Sequence, residues 1–284
     1  MKRIIWIDTL KGLAILLVIM GHVCQMRFPV SGKWLANIIY SFHMPLFLFL
    51  SGLFARKAVE AADKRQVKSF IIKKAKQLLV PFIIWMGLWC IIKGDAITMF
   101  LDGGFIYWYL PTLFEFLLLF CILRYLSNSI KLNQRYYPVL LFLSILSLYQ
   151  IPGNCLVGRL LRIGYSSYFY IFFVLGYLFD RYCIQKVFTP PPILLSQIKG
   201  RCVTKHSSLI AHIGMNTMGI YLIHYYFVLL IPKWFDFQMK DCSDMLFLLV
   251  CLLISLVIVF LCMVTISILK KFNFSRLLML GIIR

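Results

Sequence analysis

Apolar runs, each close to the length of a bilayer-crossing helix, follow one another along the chain. Shorter stretches rich in lysine, arginine, proline and glycine separate them. This pattern predicts an all-α fold, a polytopic membrane bundle of about eight transmembrane helices. They are expected at about 5–26, 35–55, 70–92, 105–125, 136–151, 165–181, 209–231 and 245–269. The third carries Lys73, Lys74 and Lys76 on its first turns, and Pro81 predicts a kink in it. Between the sixth and seventh, Thr189-Pro190-Pro191-Pro192 rules out regular helix, so 182–208 reads as a cytoplasmic loop lying on the membrane surface. The tail from Phe272 to Arg284 mixes apolar and basic residues, as an interfacial helix does. With no internal repeat and no low-complexity linker, residues 1–284 read as a single membrane-embedded domain.

The first run is the one where the apolar pattern is most pointedly broken. Asp8-Thr9-Leu10-Lys11 opens it and Gly21-His22 closes it. An ionisable group inside a bilayer costs roughly 2.5–3.5 kcal/mol, so these positions are functional candidates. At 3.6 residues per turn, Asp8, Lys11 and His22 fall along one stripe, with Lys11 and His22 roughly 16 Å apart on the axis. Such a stripe faces protein or a water-filled cavity, not lipid.

Composition removes the soluble alternatives. Hydrophobic residues make up 62% of the chain and charged residues 14%, with a mean hydropathy of +0.88. A net charge of +20 raises the question of nucleic acid. No aromatic-basic motif accompanies the charge, and its distribution follows the positive-inside rule instead. With a cytoplasmic N-terminus, the inner segments collect most of the lysines and arginines, eight of them between Arg56 and Lys76 alone. That bias predicts an even number of spans, both termini cytoplasmic and a multi-pass protein of the cell membrane. The Met1-Lys2-Arg3 start followed by an apolar run lacks a small-residue cleavage site, and reads as an uncleaved anchor. Nine cysteines without a C-x-x-C pair predict neither disulfide nor zinc.

Three histidines are expected at similar outer depth on three spans: His22, His43 in Ser41-Phe42-His43-Met44-Pro45, and His224 in Ile220-Tyr221-Leu222-Ile223-His224. Each alone is equally explained by a hydrogen bond within a bundle; the shared depth favours a site. No carboxylate or cysteine is placed with them, so no metal is expected. Glu115 sits well inside the fourth run and suits either pairing with Lys11 or a histidine, or proton transfer. The aromatic Tyr107-Trp108-Tyr109 stretch before it fits an interfacial belt. Lys73, Lys74 and Lys76 are ordinary inner-side charge that is also placed to meet a phosphorylated ligand from the cytoplasm.

Taken in order, these pieces resemble a known family. Lys11 and His22 are separated by ten residues, and Phe42-His43-Met44-Pro45-Leu46-Phe47 leads to Ser51-Gly52. A lysine-rich stretch precedes Leu79-Val80-Pro81-Phe82, followed by Trp108-Tyr109-Leu110, Phe172-Phe173-x-x-Gly176 and Gly214-x-x-Thr217-x-x-Ile220-Tyr221-Leu222-x-His224. The chain is similar over nearly its whole length to the acyltransferase 3 family of integral membrane acyltransferases, nearest its fucose 4-O-acetylase-like branch. The resemblance implies an enzyme that moves an acyl group, commonly acetyl from cytoplasmic acetyl-CoA, onto a hydroxyl of an envelope polysaccharide or lipid-linked sugar. It implies acyl-CoA as donor substrate with no bound cofactor, and a glycan acceptor. The family's arginine–histidine pair maps to Lys11 and His22, and its other polar motif positions to His43, Trp108 and His224. Two departures stand out: Lys11 replaces arginine, and members usually have about ten spans where about eight are found here, the shortfall lying between Gly176 and Gly214.

Read as such an enzyme, His22 is the base for the acceptor hydroxyl, with Lys11 and Glu115 as its catalytic companions. His43, Trp108 and His224 lie on the acceptor and oxyanion side, a role Lys11 can share. Lys11, Lys73, Lys74 and Lys76 bind the acyl-CoA. Direct transfer and a transient acyl-imidazole on His22 are both compatible with these residues. Two other classes stay open: an exporter or flippase of a glycan intermediate, which the lysine, glutamate and histidines also suit, and a non-catalytic membrane subunit of a glycan assembly complex. No inverted repeat or paired broken helices support transport.

Overall fold

A computed structural model describes residues 5–55, 64–94, 106–133, 136–150, 163–184, 208–234, 236, 239 and 242–282. Among the described residues the regular structure is helical throughout: α1 (Ile5–Arg27), α2 (Lys33–Gly52), α3 (Lys64–Lys93), α4 (Tyr109–Ser129), α5 (Tyr137–Gln150), α6 (Ile163–Phe179), α7 (Ser208–Met215), α8 (Thr217–Leu229), α9 (Asp244–Leu269) and α10 (Asn273–Leu278). Five of these are long and apolar enough to cross a membrane: α1, α2, Arg65–Ile92 within α3, α4 and α9. The protein is an all-helical membrane bundle. Helix α3 continues through Pro81, and α6 runs into a π-helical turn, Asp180–Ile184. Apart from that turn, the expected loop at 182–208 lies outside the described residues. Within the tail expected as an interfacial helix, the described residues hold the short α10.

One difference from the sequence pattern concerns the seventh apolar run. It is expected as one span at 209–231, but it breaks at Asn216 into α7 and α8. The break is held by its own polar groups: Asn216 Nδ2 donates to the His212 carbonyl (2.8 Å) and the Thr217 hydroxyl to the Gly214 carbonyl (2.5 Å). Lys270, just past the end of α9, donates to Asn216 Oδ1 (2.5 Å). Within a membrane protein a broken helix is tolerated only when neighbours satisfy the freed backbone, and here side chains do so.

The described chain forms two compact units. The first comprises residues 1–47 and 191–275, and α1 is its axis. Gly214 of α7 meets Asp8 and Gly12 of α1, while Ile210 meets Gly12, so α7 passes α1 in the reverse sense. After the break, α8 runs with α1: Tyr225 lies opposite His22, and Val228 opposite Arg27, whose Nε donates to the Val228 carbonyl (2.7 Å). Helix α9 covers the other side, with Phe28 edge-on to Phe247 and the free thiols of Cys24 and Cys251 3.7 Å apart. It turns small and polar groups such as Cys251, Ser255 and Cys262 inward and leaves Leu249, Leu253, Leu256, Val257 and Phe260 exposed, the inside-out arrangement of a lipid-facing helix. The Asp236 carboxylate accepts from the main-chain amides of Val30 and Ser31 (3.3 and 3.2 Å). The α1–α2 turn and the segment after α8 therefore share one end of this unit.

The second unit comprises residues 48–190 and 276–284. Its interior is an aromatic stack of Phe116, Phe120, Tyr137, Tyr170, Phe173 and Tyr177, with edge-on contacts such as Phe120 on Phe173 at 5.0 Å. Gly52 and Gly176 let α2 and α6 approach until a Cβ on either would strike the other's backbone. The Ser51 and Tyr109 hydroxyls are hydrogen-bonded (2.6 Å), and Trp85 Nε1 donates to the Met279 carbonyl (2.8 Å).

Candidate functional site

The first unit gathers the three histidines singled out in the sequence. His22 lies near the end of α1, His43 in the middle of α2 and His224 on α8. The His22 and His224 rings stack, with centroids 5.3 Å apart. Tyr40, one turn before His43 on α2, stands between His22 and His43: its ring is 5.7 Å from that of His22 and 4.8 Å from that of His43. His43 and His224 are buried, whereas His22 is half-buried.

Hydrogen bonds fix these rings. The Tyr40 hydroxyl lies 2.7 Å from His22 Nδ1 and donates to Gln25 Oε1 (2.6 Å). On the far side of the ring the Tyr225 hydroxyl lies 2.9 Å from His22 Nε2. His43 Nδ1 donates to the Ile39 carbonyl (2.8 Å), and His224 Nδ1 to the Ile220 carbonyl (3.1 Å), each four residues back on its own helix. His224 Nε2 is sealed from solvent and has no hydrogen-bond partner among the described residues. A buried acceptor left without a donor costs about 1–3 kcal/mol. The arrangement thus offers one imidazole held by hydroxyls from two other helices, beside a second whose buried Nε2 is unsatisfied. A ring held in this way can take up and return a proton at a fixed place.

Lys11 is half-buried on α1, three turns before His22 and roughly 16 Å from it along the axis. Trp108, Glu115, Lys73, Lys74 and Lys76 belong to the second unit. There Trp108 packs on Phe169 at 5.2 Å and Glu115 is half-buried on α4. Lys73 and Lys76 are exposed on α3, and Lys74 lies 5.8 Å over the Phe70 ring. No cluster of three or more histidine, cysteine or acidic side chains among the described residues has the geometry to hold a metal ion.

Sequence reasoning missed Gln25, Tyr40 and Tyr225. Helical spacing offered a signal for two of them, because Gln25 follows His22 by three residues and Tyr40 precedes His43 by three, whereas Tyr225, adjacent to His224, carried none.

The chain matches a family model described as an acyltransferase domain over residues 4–195, more than half its length. That range includes His22, Gln25, Tyr40 and His43, while His224 and Tyr225 lie beyond it. Among curated proteins it is similar to nodulation protein NolL of Sinorhizobium fredii (strain NBRC 101917 / NGR234), 31% identical over 197 residues, which is 63% of this chain and 49% of that protein. It is also similar to nodulation protein NolL of Mesorhizobium japonicum (strain LMG 29417 / CECT 9101 / MAFF 303099), 34% identical over 95 residues, 32% of this chain and 25% of that protein. The chain therefore spans about half the length of the first relative and a quarter of the second. No solved structure matches it.

Proposed function

This chain belongs to the acyltransferase family whose model it matches, and on that premise we propose that it is a membrane-bound O-acyltransferase of the bacterial plasma membrane. In this reading it moves an acyl group, acetyl in the simplest case, from cytoplasmic acyl-CoA to a hydroxyl of an envelope polysaccharide or lipid-linked sugar. The observation that carries the reading is His22 held between the Tyr40 and Tyr225 hydroxyls. A sugar hydroxyl is a weak nucleophile at neutral pH and needs a base placed against it. His22 takes the hydroxyl proton as the sugar oxygen bonds to the thioester carbonyl carbon. The tetrahedral intermediate collapses with cleavage of the carbon–sulfur bond, and the departing thiolate takes the proton back from the imidazole. A transient acyl-imidazole on His22 would use the same nitrogen in two steps.

The unsatisfied His224 Nε2 beside His22 fits a hydroxyl-rich acceptor, since a second sugar hydroxyl would supply the donor that nitrogen lacks once binding parts the side chains that now seal it. Within the same reading Lys11 serves the phosphates of the donor and His43 the oxyanion. The test is to incubate membranes containing the chain with radiolabelled acetyl-CoA and a bacterial envelope fraction. Label that enters envelope material and is released by mild alkali, as an O-ester is, supports the reading. Label that never leaves acetyl-CoA, from a folded protein, rejects it.

A further inference from the structure

The hydrogen bonds around His22 determine which of its nitrogens is basic. A phenol has one proton. Tyr40 gives its proton to Gln25 Oε1, so at His22 Nδ1, 2.7 Å away, the Tyr40 oxygen can only accept. The ring proton of neutral His22 is therefore on Nδ1. Nε2 is left with a lone pair, and Tyr225 donates its O–H to it at 2.9 Å. The two neighbouring histidines carry their protons the same way for an independent reason, because a main-chain carbonyl accepts and cannot donate: His43 and His224 give Nδ1–H to Ile39 and Ile220.

We propose that Gln25 and Tyr40 are positioning residues for His22: they hold its proton on Nδ1 and aim Nε2 as the basic nitrogen, at the place where the Tyr225 hydroxyl now stands for the acceptor's. The proposal rests on the reading of His22 as the base. Its physical content is a relay of orientation, not of protons. When Nε2 takes the acceptor's proton, Nδ1 keeps its own and its bond to Tyr40 becomes charge-assisted, roughly twice as strong as a neutral one. Gln25 closes the chain, since an acceptor at that position takes the Tyr40 proton and also hydrogen-bonds the imidazole directly, which favours the same tautomer. The opposite tautomer would put N–H where the acceptor's O–H must arrive, and the base would be switched off.

Gln25 is exposed, so its substitutions leave the packed interior alone. Gln25→Glu keeps an acceptor for the Tyr40 hydroxyl. Gln25→Lys offers only donors, so the Tyr40 hydroxyl loses this acceptor and His22 Nδ1 becomes the nearest one, which favours the Nε2–H form of the ring. Nitrogen-15 NMR of ring-labelled histidine in the full chain, with His22 assigned by its loss in His22→Gln, reads the tautomer without any substrate. The expected result is Nδ1–H in the parent and in Gln25→Glu, and Nε2–H in Gln25→Lys. In acetyl transfer from acetyl-CoA, Gln25→Lys should lose about 10²-fold in kcat with KM for acetyl-CoA unchanged, as a misplaced catalytic group does, while Gln25→Glu stays close to the parent. Nδ1–H persisting in Gln25→Lys, or Nε2–H in the parent, overturns the proposal. Because the NMR needs no turnover, a parent that transfers no acetyl counts against the function proposed above, while the tautomer still decides the positioning.

Discussion

Gly214 packs on Gly12 so closely that a Cβ on Gly214 would run into the Asp8 carbonyl and come within 2.9 Å of the Gly12 nitrogen. A Cβ on Gly12 would likewise strike the Ile210 carbonyl. Ten residues beyond each glycine stands a histidine, and these two, His22 and His224, are the ones whose rings stack. The crossing of α1 and α7 is thus the pivot from which α8 departs at Asn216 and lays His224 and Tyr225 along α1. Association of helices in lipid depends on close packing, since no hydrophobic drive favours protein over acyl chains.

Gly214→Ala should therefore be costly for so small a change. Inserting a methyl into a packed crossing costs about 1–3 kcal/mol, and the displaced α8 should take Tyr225 away from His22. Gly87, where a Cβ would meet nothing within 4 Å, is the matched control on α3. Thermal unfolding of the purified protein in detergent should show a clear loss for Gly214→Ala and none for Gly87→Ala. Equal midpoints for the two would mean that the crossing is loose.

The histidine cluster was half legible in the sequence, and the reason lies in what a bilayer forbids. His22, His43 and His224 declared themselves because each is a polar group in an apolar run, at matching depth. Gln25, Tyr40 and Tyr225 did not, because a tyrosine near a membrane surface is ordinary, and its hydroxyl's target depends on how two helices are rotated about their axes. The break at Asn216 was hidden for a similar reason. No proline marks it, and the groups that satisfy it include Lys270, far away in sequence. The long spans, by contrast, were readable to within a few residues for α1 and α9, where length and hydropathy alone decide.

The proposed role of Lys11 is separable from that of His22. Three turns away on the same helix, it is expected to hold charge for the donor and not to move a proton. Lys11→Arg should keep measurable acetyl transfer, and Lys11→Met should raise KM for acetyl-CoA or abolish turnover. A stable Lys11→Met variant with parental kcat and KM would remove Lys11 from the site.

Topology offers a third check. The basic residues from Arg56 to Lys76 predict a cytoplasmic segment there by the positive-inside rule. The α1–α2 turn, tied to Asp236, shares one end of the first unit with the segment after α8, and the same rule predicts that end outside. Single cysteines in a cysteine-free background, labelled from outside intact cells with a membrane-impermeant maleimide, should react at Ser31 and at Lys233. One between 56 and 68 should stay silent until the membrane is opened. Labelling of that segment in intact cells would reverse the orientation.

The central claim is that the His22 imidazole is the base for acyl transfer, and the most direct measurement is the acetyl-transfer rate of His22→Gln beside that of His22→Ala. Glutamine keeps a hydrogen-bonding side chain between Tyr40 and Tyr225 but cannot take up a proton. General-base catalysis contributes about 10²–10⁴-fold, so both variants should insert and fold as the parent does and lose at least about 10²-fold in rate. Transfer by His22→Gln at close to the parental rate would contradict the account and leave His22 a structural histidine.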